Sequence, residues 1–171
     1  DKEFNEIRPR ILHIGTKLNK NLERTLQALS AITCKLTVIG PTTKEIDRWL
    51  ENFNQPVERK DNLSRIELLE EYKKCDLLSF VSTMEGFGLP IIEAQSIGRV
   101  VVTSNISSMP EIAGSGAVFV DPYNVDEIHG AVKRIIEDKG LRSRLIDNGF
   151  ENIKRFKVDK IINEYAQIYT L

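Results

Sequence analysis

Cysteine is scarce in this chain, with two in 171 residues. Cys34 and Cys75 stand too far apart for a metal knuckle or a redox pair, so both are expected as reduced core thiols. Histidine also occurs twice, and no second ligand stands near His13, which reads as a hydrogen-bonded imidazole buried in a strand. The single tryptophan, Trp49, reads as packing. Neither charge dominates: 24 Lys and Arg face 25 Asp and Glu, for a net charge of -1. That balance argues against a nucleic-acid partner. No apolar run is long enough to cross a bilayer and none reads as a signal peptide, so the expectation is a cytoplasmic protein. No G-x-G-x-x-G follows the first strand and no P-loop lysine motif occurs, which disfavours a dinucleotide dehydrogenase or an NTPase. There is no Asp-x-Asp pair, so no divalent metal and no cofactor is expected. Repeats and low-complexity tracts are absent as well.

What is present is a regular alternation of short apolar runs with amphipathic stretches. Ile11-Leu12-His13-Ile14, Leu36-Thr37-Val38-Ile39, Pro56 to Lys60, Leu77 to Val81, Val100-Val101-Val102 and Ala117 to Val120 read as six strands. Helical spacing lies between them. Thr42 to Glu45, Ser64 to Glu67 and Ser108 to Glu111 are spaced as capping boxes. After Asn124 three further helices are expected, the last through Val158, Ile161, Ile162, Tyr165 and Tyr169. The pattern implies an α/β fold: a Rossmann-like, doubly wound, mostly parallel six-stranded sheet. Residues 1–9 read as the end of a linker and 10–171 as one domain, with C-terminal helices over about 124–170.

One stretch organises the rest: Glu85-Gly86-Phe87-Gly88-Leu89-Pro90-Ile91-Ile92-Glu93. A buried strand precedes it and a helix follows, with Pro90 suited to the first helical position. Gly86 and Gly88 permit backbone angles and close approach that a side chain forbids. The amides of Gly88, Leu89 and Ile91 are expected free at the carboxyl end of the sheet, where open α/β sheets bind ligands. Glu85 and Glu93 flank the turn. An ionised carboxylate repels a phosphate but accepts two hydrogen bonds from a vicinal diol. Amides for an anion beside carboxylates for diols suit a nucleotide sugar. The bland alternative is an ordinary strand-to-helix turn with an acid in the first helical turn.

Glu85, Gly86-Phe87-Gly88-Leu89-Pro90 and Glu93 resemble the E-x7-E signature of retaining glycosyltransferases of the GT-B fold, most nearly glycosyltransferase family 4. The resemblance covers nearly the whole chain and corresponds to the C-terminal, donor-binding half of such an enzyme. It implies a nucleoside-diphosphate sugar as donor, substrate rather than cofactor, and transfer with retained anomeric configuration. Glu93 would then hold the ribose and Glu85 the transferred sugar. The backbone of Gly86, Phe87, Gly88 and Leu89 would face sugar and diphosphate. Lys20-Asn21 resembles the family's Lys-Asn pair, whose lysine meets the diphosphate. Glu85 and Lys20 are therefore the expected catalytic pair. Gly15, Thr16 and Lys17 form the phosphate loop, where many relatives carry an arginine that this chain lacks. The segment from Lys60 to Leu63 would lie against the nucleobase. Ser107 and Ser108 stand where the family often has two glycines.

The expected partners are the nucleotide sugar and an acceptor-binding N-terminal domain. Any peripheral membrane contact would run through that half, and the expected setting is polysaccharide or glycoconjugate synthesis. Two other functions fit the residues less closely. One is a sugar-nucleotide epimerase of related fold. The other is a non-catalytic nucleotide-sugar binding module.

Overall fold

The computed structural model describes residues 2–157 and Ala166. The last expected helix, through Tyr165 and Tyr169, lies outside the described residues. Six strands are present: β1 (Arg10–Ile14), β2 (Lys35–Ile39), β3 (Val57–Lys60), β4 (Leu77–Phe80), β5 (Val100–Ser104) and β6 (Val118–Val120). The helices are α1 (Leu22–Leu29), α2 (Lys44–Glu51), α3 (Arg65–Lys74), α4 (Leu89–Ser96), α5 (Met109–Ala113), α6 (Val125–Glu137) and α7 (Lys139–Ile153). The strands form one sheet in the order β3-β2-β1-β4-β5-β6. Every pairing is parallel rather than most of them. Each strand from β1 to β5 is followed by a segment that crosses back over the sheet, and this restores the strand direction every time.

The parallel sheet is buried on both faces, so its strands read as continuous apolar runs. Residues of β4, and Val81 just after it, alternate between two cores. Leu77 and Val81 meet α1, α2, α6 and α7, while Leu78 and Phe80 meet α3, α4 and α5. Trp49 packs against the first core, as expected. Cys34 and Cys75 are buried free thiols, and burial pushes them up to about 11 and about 12. They are inert at neutral pH. Phe4, ahead of β1, packs on the core, and Asp76 accepts hydrogen bonds from the Asn5 and Arg10 amides.

The helix starts differ in instructive ways. α3 has the full capping box: Ser64 accepts from the Glu67 amide and Glu67 from the Ser64 amide. The box expected on Thr42 to Glu45 is displaced by one residue. Thr43 is the cap and accepts from the Ile46 amide, so an isoleucine stands where the reciprocal glutamate would be needed. Ser108 heads α5 without a side-chain cap bond, because its hydroxyl is drawn to the Phe87 carbonyl at 2.9 Å. α4 begins at Leu89 behind Gly88, so Pro90 is the second helical residue and not the first. Its missing N–H still falls within the first turn, where no intrahelical partner exists.

The strand order reverses between β1 and β4. From β1 the chain leads toward β2 on one side, and from β4 toward β5 on the other. The loops after these two strands therefore part and leave a crevice at the carboxyl ends of the sheet.

Candidate functional site

The two loops at this reversal are stitched together. After β1 the chain makes a short 3-10 turn, Leu18–Lys20, that ends on Asn21 in the left-handed region at φ 61°. Asparagine tolerates that conformation. Its buried side chain donates from Nδ2 to the Val81 carbonyl at 3.0 Å and to the Pro122 carbonyl at 2.7 Å. Those carbonyls lie just beyond β4 and β6, so one amide ties three loops. Asn19 adds a second seam: its carbonyl accepts from the Thr83 amide at 2.8 Å, and its Nδ2 donates to the Met84 carbonyl at 2.9 Å.

These seams bring together two residues 65 positions apart in the chain. Lys20 Nζ lies 2.5 Å from Glu85 Oε1, with side-chain exposures of 19% and 13%. The ammonium also sits 4.7 Å from the centroid of the Phe80 ring. Gly15 makes room for the lysine stem. A Cβ there would come within 2.7 Å of Lys20 Cγ, and its φ of +92° is unfavourable to other residues.

The turn itself is held from β5's side. The Glu85 amide donates to Ser107 Oγ at 3.1 Å, and Ser107 Oγ donates back to the Glu85 carbonyl at 2.8 Å. With Ser108 on the Phe87 carbonyl, the two serines clamp the loop that carries Glu85. The amides of Phe87, Gly88 and Leu89 have no acceptor among the described residues, whereas that of Ile91 bonds the Gly88 carbonyl at 3.0 Å. Gly88 and Leu89 thus agree with the sequence reading and Ile91 does not, because it already closes the first helical turn. Phe87 and Leu89 are exposed large apolar side chains, and Gly86 is bordered by open space.

Other expected site residues are placed differently. Thr16 donates its hydroxyl to the Pro41 carbonyl, so that hydrogen is committed within the protein. Lys17 is exposed and lines a cleft with Thr16, Trp49 and Tyr123. Lys60 is engaged in a structural charge cluster: its Nζ lies 2.8 Å from Glu71 Oε1 and 3.0 Å from Glu58 Oε1. Hydrogen bonds from Lys60, then Lys35, hold Glu58 down at about 2. Burial pushes Glu71 up, but the bonds from Lys60 and Lys74 outweigh it and leave it below the ordinary range. Leu63 packs on the core beside α3. Glu93 is partly buried in α4 and does not join the Lys20–Glu85 pair; it accepts a 2.7 Å hydrogen bond from the Tyr72 hydroxyl.

His13 is buried, as expected, but neither ring nitrogen has a hydrogen bond of ordinary geometry among the described residues. Desolvation pushes it down to about 4, opposed by the Gly15 backbone and assisted by the nearby Lys20 charge. The imidazole is therefore neutral at pH 7.

An ion pair at the strand-order reversal, beside amides without an acceptor among the described residues at a helix start, suits a ligand with both a diphosphate and hydroxyls. The profile of the family described as Glycosyl transferases group 1 matches residues 1–152. The chain belongs to this family. Its six-stranded parallel sheet is the Rossmann-like α/β fold of one half of GT-B proteins. O-antigen chain mannosyltransferase B of Escherichia coli is 35% identical over 172 residues, which covers 94% of this chain and 45% of that protein. The MMP alpha-(1->4)-mannosyltransferase of Mycolicibacterium hassiacum is 30% identical over 142 residues, 81% of this chain and 33% of the relative. Among solved structures, sucrose-phosphate synthase from Thermosynechococcus elongatus superposes with a TM-score of 0.84 at 21% identity, covering 98% of this chain and 46% of that one. Anabaena Alr3699/HepE, solved in complex with UDP and glucose, gives a TM-score of 0.81 at 19% identity, covering 96% and 48%. This group 1 glycosyltransferase chain thus spans less than half the length of these relatives.

Sequence reasoning did not find Asn19, Tyr72 or Thr83 as parts of the site, and it named Ser107 and Ser108 without their contacts to the loop. Their partners lie 21 to 65 residues away, so no local spacing announces them.

Proposed function

We propose that this chain is the donor-binding part of a retaining glycosyltransferase that moves a sugar from a nucleoside-diphosphate sugar to an acceptor. The observation that carries the reading is the Lys20–Glu85 pair, with Glu85 in the same turn as the amides of Phe87, Gly88 and Leu89, which have no acceptor among the described residues. Within the protein Lys20 and Glu85 satisfy each other's charge. When donor binds, the Lys20 ammonium turns to the diphosphate and Glu85 turns to the sugar hydroxyls. The amides at the head of α4 receive the anion. Charge developing on the departing nucleoside diphosphate then meets one ammonium and a fixed set of N–H donors. In this reading Lys20 supplies the positive charge that a metal ion would otherwise bring, and Glu93 holds the ribose.

The mannosyltransferase names among the relatives favour a mannosyl donor and a role in surface polysaccharide synthesis. Anabaena Alr3699/HepE, solved with UDP and glucose, supports a nucleotide-sugar ligand. No helix among the described residues is long and apolar enough to cross a membrane. In this reading the protein works in the cytoplasm, at the membrane surface only through another part of the full protein.

The test is calorimetric binding of nucleoside diphosphates and free nucleosides. Lys20→Ala is expected to lower diphosphate affinity about tenfold or more while changing nucleoside affinity little. The double variant Lys20→Ala with Glu85→Gln removes the repulsion of the orphaned carboxylate and isolates the lysine contribution. Equal losses for nucleoside and diphosphate would rule out the phosphate role. Retention is checked by the anomeric configuration of the product, and epimerisation of donor without acceptor would sink the transferase reading.

A further inference from the structure

We propose that Tyr72 is a positioning residue for Glu93 and thereby sets how strongly the site demands a ribose diol. This rests on the donor-site reading above. Tyr72 sits in α3 with 1% of its surface exposed, and its hydroxyl donates to Glu93 Oε2 at 2.7 Å. The backbone around it is anchored as well. The Tyr72 carbonyl accepts from Arg99 Nε at 3.1 Å, and the Lys73 carbonyl accepts from Arg99 Nη2 at 2.9 Å. The phenol is therefore fixed at both ends, and it can fix one oxygen of the carboxylate.

The identity of the partner matters as much as its position. Burial, and then the bond to Glu93, push the Tyr72 phenol well above its ordinary value, so it donates as a neutral group at every working pH. A neutral donor orients a carboxylate without cancelling its charge. A lysine or arginine in its place would cancel the charge and compete for both oxygens. Glu85 has such a cation in Lys20, whereas Glu93 has no ion pair among the described residues. The second glutamate of the turn thus has one oxygen held by Tyr72 and the other without a hydrogen-bond partner among the described residues. Glu93 and Tyr72 line a groove of about 330 Å³ between α3 and α4, together with Arg65 and Leu69. An oriented carboxylate is the acceptor that two adjacent hydroxyls require. Without Tyr72 the carboxylate rotates, and the diol must order it on binding.

The experiment measures affinity of this 171-residue protein for uridine, guanosine and adenosine diphosphates and for their 2′,3′-dideoxy counterparts. For the base that binds best, the ribo form is expected to be favoured by about tenfold or more. Tyr72→Phe is expected to reduce that ratio to about threefold or less, and in a Glu93→Ala background it should change nothing further. A merely structural tyrosine would lower both affinities together and leave the ratio intact. An unchanged ratio in Tyr72→Phe, with the preference present in the parent protein, overturns this inference and leaves the donor site standing. So does a further loss in the Glu93→Ala background. If no nucleoside diphosphate binds the parent, the donor-site reading falls and this inference with it. Should Tyr72→Phe fail to fold, Glu93→Gln carries the test: the ratio must fall there too, and an unchanged ratio overturns the proposal.

Discussion

Gly86 and Gly88 are kept as glycine by different demands. Gly88 has φ +104°, and a Cβ there would press on Ile91 Cδ1 at 3.3 Å. Gly86 has no positive φ and no atom within 4 Å of where its Cβ would stand. Nothing inside the protein requires glycine at position 86, so the requirement, where it exists, comes from what docks there. Gly88→Ala is expected to cost about 1–3 kcal/mol of stability. Gly86→Ala should stay within about 0.5 kcal/mol of the parent while weakening nucleotide-sugar binding severalfold. Urea unfolding and calorimetry on the two variants check this. A destabilised Gly86→Ala, or one with undiminished affinity, contradicts the distinction. The sequence showed both glycines and could not separate them, because the separation depends on φ and on neighbours. Thr16 and Lys60 carry the same lesson. Thr16 has a hydroxyl that suits a phosphate and Lys60 opens the segment expected against a nucleobase, but only the structure shows the Thr16 hydrogen given to the Pro41 carbonyl and the Lys60 ammonium paired with Glu71 and Glu58.

At the scale of the element, β1 shows how a strand can carry a liability into the core. Its apolar neighbours pack fully, and His13 is taken in with them although neither ring nitrogen has a hydrogen bond of ordinary geometry among the described residues. The unfolded chain protonates this histidine near its ordinary 6.5, and the folded chain resists protonation down to about 4. Between those values the unfolded state binds more protons, so stability falls as pH drops from 6.5 toward 4. The loss attributable to His13 is about 3 kcal/mol over that window. It is absent above pH 7 and complete below about 4. The check is unfolding free energy measured from pH 7.5 to 4 for the parent and for His13→Leu, whose curve should lack this slope. A parallel slope in both would remove His13 from the account. Glu58, held down at about 2, adds its own loss below about 4.5, outside most of that window. Helix starts teach a related point. The Ser64 box was readable because both halves lie within four residues. Ser108 was not, because a carbonyl 21 residues away outcompeted its own helix.

For the whole molecule, the described crevice is open to solvent, with Leu18, Met84, Phe87 and Leu89 among its exposed apolar residues. Electrostatic stabilisation is weaker in water than in a closed cleft, and an unheld acceptor forgoes about 7–11 kcal/mol of positioning. The 171 residues alone are therefore expected to bind nucleotide and to transfer sugar at no more than a trace of the rate of a chain as long as the relatives. Side-by-side assays with one donor and one acceptor decide it, and comparable turnover would refute the need for a further acceptor-binding domain. By itself the sequence determined the six strand–helix units, the strand-to-turn-to-helix passage at Glu85 and the seven-residue spacing to Glu93. These are local: apolar periodicity, turn residues and caps act over a few positions, and a family signature is written in such spans. Only the tertiary structure decided that Lys20 meets Glu85, that Asn21 binds Val81 and Pro122, that two serines hold the turn and that Tyr72 holds Glu93. Those contacts join residues 21 to 101 positions apart. They exist because the strand order reverses between β1 and β4, which sets the two loops side by side. That reversal comes from packing helices on both faces of one sheet, and no local stretch of chain contains it.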